Sequence, residues 1–118
     1  MYLKHICGLL LLILSSAGAM AHAIVTKSVP AQDAALAAAP TEVAITFNEK
    51  VEKLFSTAKL MNATGAPIAT PKARIDPANP AQLRLAVPTL AAGKYVVKWT
   101  AVGSDGHRRT GDIRFTVK

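Results

Sequence analysis

The sequence predicts one all-β domain, a sandwich or a barrel, behind an N-terminal export leader. Three observations predict it. Large apolar residues alternate with small or polar ones in four separate runs, the period at which one set of side chains shares a face. Clusters of Gly, Pro, Asn and Asp divide the chain into short segments. No stretch sustains the 3.6-residue repeat of a long amphipathic helix.

Residues 1–21 read as the leader. Lys4 and His5 make a basic start, Ile6 to Leu14 form an apolar run, and Ser15, Ser16 and Gly18 break it. Ala19-Met20-Ala21 then fits a small-x-small cleavage site. The run is shorter than the roughly 20 apolar residues that span a bilayer. The expected mature domain is residues 22–118. A second small-x-small triplet, Ala21-His22-Ala23, overlaps the first and leaves cleavage after Ala23 open.

The strands follow in order. Ala23 to Val29 is the first, ended by Val29-Pro30. Asp33 to Ala39 reads as a helical turn capped by Asp33 and stopped by Pro40, or equally as a compact loop. Val43, Ile45 and Phe47 alternate with Ala44 and Thr46. Ala58 to Met61 is an apolar stretch, with Met61 expected in the core. Leu83, Leu85 and Val87 alternate next, then Tyr95, Val97 and Trp99, and finally Ile113, Phe115 and Val117. Asn62 to Pro67, Asp76 to Pro80, Ala92-Gly93 and Gly103 to Gly106 are the turns.

Composition excludes several functions. The single cysteine, Cys7, falls in the leader, so the mature domain offers no thiol, disulfide or cysteine ligand. Lys and Arg number 14 against 7 Asp and Glu, a formal net charge of +7. These cations are scattered, and Arg108-Arg109 is the closest group. With few aromatics and no basic run, nucleic-acid binding is not expected.

The chemistry gathers on two histidines. His5 leaves with the leader, and His22 and His107 remain. Cleavage after Ala21 would make His22 the first residue. Its α-amine and ring Nδ1 could then close a six-membered chelate on a metal, which an internal His cannot do because its nitrogen is an amide. The second half is Ser104-Asp105-Gly106-His107. Asp105 and His107 stand two apart, so an extended segment would send both to one side. Gly106 lets the backbone bend between them. Three nitrogens and a carboxylate oxygen in a tetragonal plane favour Cu(II), whereas zinc prefers a tetrahedron. On residues alone, either histidine taken singly reads as a polar surface residue more readily than as a ligand, and the two together leave both readings open.

Four segments of the mature chain resemble the CopC family of periplasmic copper-resistance proteins. They are the opening His22-Ala23-Ile24-Val25 with Ser28-Val29-Pro30, then Phe47-Asn48-Glu49, Gly93 to Trp99, and Ser104 to His107 with Gly111 and Phe115-Thr116-Val117. The resemblance implies a seven-stranded Greek-key β-sandwich of the cupredoxin-like or immunoglobulin-like kind. It implies one Cu(II) per chain, held by the amine and ring of His22, by His107 and by Asp105. Glu49 falls where the family carries an acidic residue near the copper and could orient the site; as a solvated turn carboxylate it would have no such role. It also implies a periplasmic protein, expected as a monomer, working beside a separate inner-membrane copper transporter of the CopD type. Some members bind Cu(I) through a Met-rich loop. The matching stretch here, Leu60 to Pro71, holds only Met61, so no Cu(I) site is expected.

Other readings compete. Copper monooxygenases that act on polysaccharides also use an N-terminal His with a second His. They are usually larger and present aromatics to sugar, and Asp105 would fill the position that oxygen chemistry needs open. No enzymatic activity is therefore expected. A hydrolase built on Ser104, Asp105 and His107 fails because three near-adjacent residues rarely form a triad. A sandwich interaction domain without metal stays open.

Overall fold

The computed structural model describes residues 23–118. The leader and His22 lie outside the described residues. Nine strands build two sheets: β1 (Val25–Val29), β2 (Ala34–Leu36), β3 (Glu42–Phe47), β4 (Thr57–Asn62), β5 (Pro67–Ile68), β6 (Arg74–Asp76), β7 (Asn79–Ala86), β8 (Gly93–Val102) and β9 (Arg108–Val117). One sheet runs β1-β3-β7-β6 and the other β2-β9-β8-β4-β5. Only the hairpins β4–β5, β6–β7 and β8–β9 stay within a sheet; every other connection crosses to the opposite one.

The period-two pattern produces this sandwich directly. Val43, Ile45 and Phe47 of β3 are buried, as are Leu83 and Leu85 of β7. They face Ala58 and Leu60 of β4, Tyr95, Val97, Trp99 and Ala101 of β8, and Ile113, Phe115 and Val117 of β9. Full burial of one such side chain stabilises the fold by roughly 1.5–3 kcal/mol. Phe47 meets Trp99 edge-on at 5.1 Å between ring centroids, which joins the two sheets. Trp99 in turn needs its cross-strand neighbour to be glycine. Gly111 stands opposite it, and a Cβ there would lie 2.5 Å from Trp99 Cζ2.

Several expectations change. Asp33 to Ala39 forms neither a helical turn nor a free loop. Asp33 takes a left-handed φ of 61°, and Ala34–Leu36 pairs in parallel with Phe115–Val117. The edge of β9 supplies the reason: its backbone groups need partners, and Gln32 extends the pairing by accepting from Arg114 N–H at 2.6 Å and donating to Asp112 O at 2.9 Å. Met61 is half-buried on the outer face of β4, because Ala58 and Leu60 already occupy the inward positions. The expected seven strands are exceeded by short segments, of which β2, β5 and β6 hold only two or three residues each.

One end of the sandwich collects the candidate residues. The long hairpin β8–β9 turns there, between Val102 and Arg108. The segment after β3 is fastened to the same end. Val51 bridges to Gly103, and Glu52 N–H donates to Val102 O at 2.7 Å.

Candidate metal centre

The β8–β9 connection is built by its own residue types. Gly106 N–H donates to Gly103 O at 3.0 Å and closes a turn. Gly106 sits at φ +79°, where a side chain would be strained. Asp105 Oδ1 accepts His107 N–H at 3.0 Å, a local carboxylate-to-backbone bond that bends the chain. The expected extended geometry is therefore replaced by a turn, yet it brings the same two side chains together. Asp105 Oδ2 lies 2.8 Å from His107 Nδ1. The Asp105 side chain is 20% exposed and that of His107 is 65% exposed, so the imidazole stands into solvent from a carboxylate base.

Glu49 approaches from the other side. Its Oε1 accepts Ser104 N–H at 3.3 Å. The carboxylate lies across Gly103, where a Cβ would meet Oε1 at 2.0 Å and Asp105 Oδ1 at 3.3 Å. Gly103 is thus the point on which both carboxylates converge. In the sequence it is only a turn residue, since a glycine required by close approach looks the same there as one required by φ.

Asn48 is a second positioning residue that the sequence does not announce. Its Oδ1 accepts Ile24 N–H at 2.8 Å, and its own N–H donates to Ile24 O at 2.9 Å. Ala23 is 1% exposed and belongs to the core. The described chain therefore starts as a plug and a clamp beside Glu49. An Asn closing a strand and capturing a distant backbone has no local sequence signal.

Of the expected site residues, Asp105, His107 and Glu49 come together at this end, and His22 lies outside the described residues. Among the described residues, no three His, Cys, Asp or Glu side chains form a group that could hold a metal ion. The chemical content here is a carboxylate–imidazole pair with a second carboxylate close by.

Comparisons with known proteins bear on this arrangement. The CopC domain model matches residues 25–118. Copper resistance protein C of Escherichia coli is 39% identical over 111 residues, covering 85% of this chain and 84% of that protein. Copper transport protein CutJ of Bacillus subtilis is 34% identical over 110 residues, covering 92% of this chain; the chain spans only 20% of CutJ. The crystal structure of CopC from Methylosinus trichosporium OB3b superposes with a TM-score of 0.77 at 33% identity, covering 82% of this chain and 94% of that one.

Proposed function

The chain belongs to the CopC family, and on that premise we propose that it takes one Cu(II) ion as cargo in the periplasm. The ligands in this reading are the amine and Nδ1 of His22, exposed by cleavage after Ala21, with His107 and Asp105. The protein holds or hands over copper and catalyses no reaction.

The observation that carries the reading is the 2.8 Å between Asp105 Oδ2 and His107 Nδ1. Two ligands cis to one another, each about 2.0 Å from a divalent ion, stand about 2.8 Å apart. The pair is therefore close enough for both atoms to reach one ion, once the proton they share is given up. Copper binding then replaces that proton and releases it. The Asp105 bond to His107 N–H fixes the pair, so little ordering is left for the metal to impose.

The plug at Ala23 and the clamp at Ile24 support the other half. They fix the residue after His22 beside Asn48, one position from Glu49. Glu49 lies across Gly103 and, by accepting Ser104 N–H, steadies the turn.

Titration of the exported chain with Cu(II), followed by visible absorption and electron paramagnetic resonance, tests this function. One equivalent bound with mixed nitrogen and oxygen ligation is the expected result. A chain that takes up no stoichiometric copper would be a sandwich interaction domain instead.

A further inference from the structure

Between Val51 and Ser56 the chain leaves the sandwich and returns, and both feet of this excursion are fixed. Val51 is buried and donates its N–H to Pro80 O at 3.1 Å. Ser56 is 4% exposed, and its hydroxyl accepts Val102 N–H at 3.2 Å. Phe55 N–H donates to Glu52 O at 3.2 Å and closes a tight turn between the feet. What the turn presents to water is apolar: Leu54 is 84% exposed and Phe55 62%. These two lie side by side and wall an open groove of about 610 Å³, whose floor includes Thr57, Thr100 and Arg108.

The same three floor residues line a second depression, which continues over the outer face of the five-stranded sheet. There Lys59 stands directly opposite Lys98 in the β4–β8 register, a like-charge pairing that is unfavourable in isolation. Arg114 lies at the far end, paired with Asp33 at 3.4 Å. Glu52 and Asp112 are the acidic residues lining the two depressions. Among the described residues no ion pair engages Lys59, Lys98 or Arg108. The opposite sheet differs: its Arg74 and Arg84 are matched with Glu42 and Asp76.

We propose that this continuous face docks on an anionic lipid bilayer, with Leu54 and Phe55 inserted at the headgroup level and Lys59, Lys98 and Arg108 among the lipid phosphates. Two adjacent apolar side chains on a rigid projecting turn, backed by cations, suit an interface that is apolar below and negative at its surface. A second copy of the chain fits worse, since it would bring the same positive face against this one. Among the described residues no helix is long and apolar enough to cross a membrane. The Gly103–Gly106 turn borders the groove, so docking would bring His107 close to the bilayer. The proposal does not depend on copper binding.

Flotation of the exported, copper-free chain with vesicles tests it. The chain is expected to float with vesicles of equal parts phosphatidylglycerol and phosphatidylcholine, and not with phosphatidylcholine alone. The Leu54→Ser/Phe55→Ser variant and the Lys59→Glu/Lys98→Glu variant should each weaken binding about tenfold or more, with thermal midpoints checked to show that each is folded. A Phe55→Trp reporter should shift its emission to the blue on the anionic vesicles. Failure to float with either vesicle overturns the proposal, as does flotation indifferent to the Leu54 and Phe55 changes. Self-association abolished by the same serine changes would assign the face to a second copy. Binding to soluble polyglutamate without flotation would assign it to an acidic protein.

Discussion

Gly103 carries no functional group, yet its missing side chain decides where Glu49 lies. A methyl group there would overlap the Glu49 carboxylate at 2.0 Å. Gly103→Ala should therefore push Glu49 away from Ser104 and destabilise the fold by about 1–3 kcal/mol in chemical denaturation, since nearby atoms must shift. Truncating the obstacle as well, in Gly103→Ala/Glu49→Ala, should recover most of that loss. His107 acts through its ring instead. His107→Ala should lower Cu(II) affinity by at least about 100-fold while leaving the unfolding midpoint nearly unchanged, because the side chain is 65% exposed. Competition titration and thermal unfolding read the two effects separately. Copper affinity should also fall as pH is lowered, because Cu(II) must displace protons from its nitrogen ligands, and competition titrations at several pH values check it. At this scale the candidate residues Asp105 and His107 were readable from their spacing and Glu49 from its family segment. Gly103 and Asn48 were not, because their roles are contacts made across about 50 residues of chain or half of that, between β3, the β8–β9 turn and Ile24.

The strands were legible wherever one face is buried and the other is wet. β3, β7, β8 and β9 all show the alternation, and each inward residue named from it on β3, β8 and β9 is buried. β2 was missed because three residues pairing with a strand edge have no room for a periodic signal; the partner that makes Ala34–Leu36 a strand is 81 residues away. Met61 was misplaced because an apolar run does not reveal its own phase. The hairpin β8–β9 carries a further packing constraint. Gly111→Ala would set a methyl 2.5 Å from the Trp99 ring, costing about 1–3 kcal/mol and altering Trp99 fluorescence in the folded state. On the other sheet, Asp76 accepts Ala78 N–H at 2.9 Å and pairs with Arg84. The backbone bond first, and the Arg84 and Arg74 charges with it, hold the carboxyl below its ordinary 3.8. A depressed carboxylate contributes stability above its unfolded value and loses it as pH falls through the folded one. The unfolding midpoint should thus fall below about pH 4, and Asp76→Asn should flatten that part of the profile.

For the whole molecule, the sandwich does two things for its proposed cargo. It brings the β8–β9 turn, the end of β3 and the start of the described chain to one end. It also holds that start rigidly, with Ala23 in the core and Ile24 clamped by Asn48. The proposed site is then completed by processing rather than by folding alone, since the residue His22 exists before cleavage and its free amine does not. Fold class was readable at this scale because the alternation fixes two layers. The closing of the site was not, because it depends on which end of the sandwich the first strand enters. The most direct measurement compares Cu(II) affinity for two chains, one beginning at His22 and one retaining Ala21 before it. The account predicts a loss of at least about 100-fold in the longer chain, with the fold unchanged, because one amine ligand becomes an amide. Equal affinity of the two chains would contradict it.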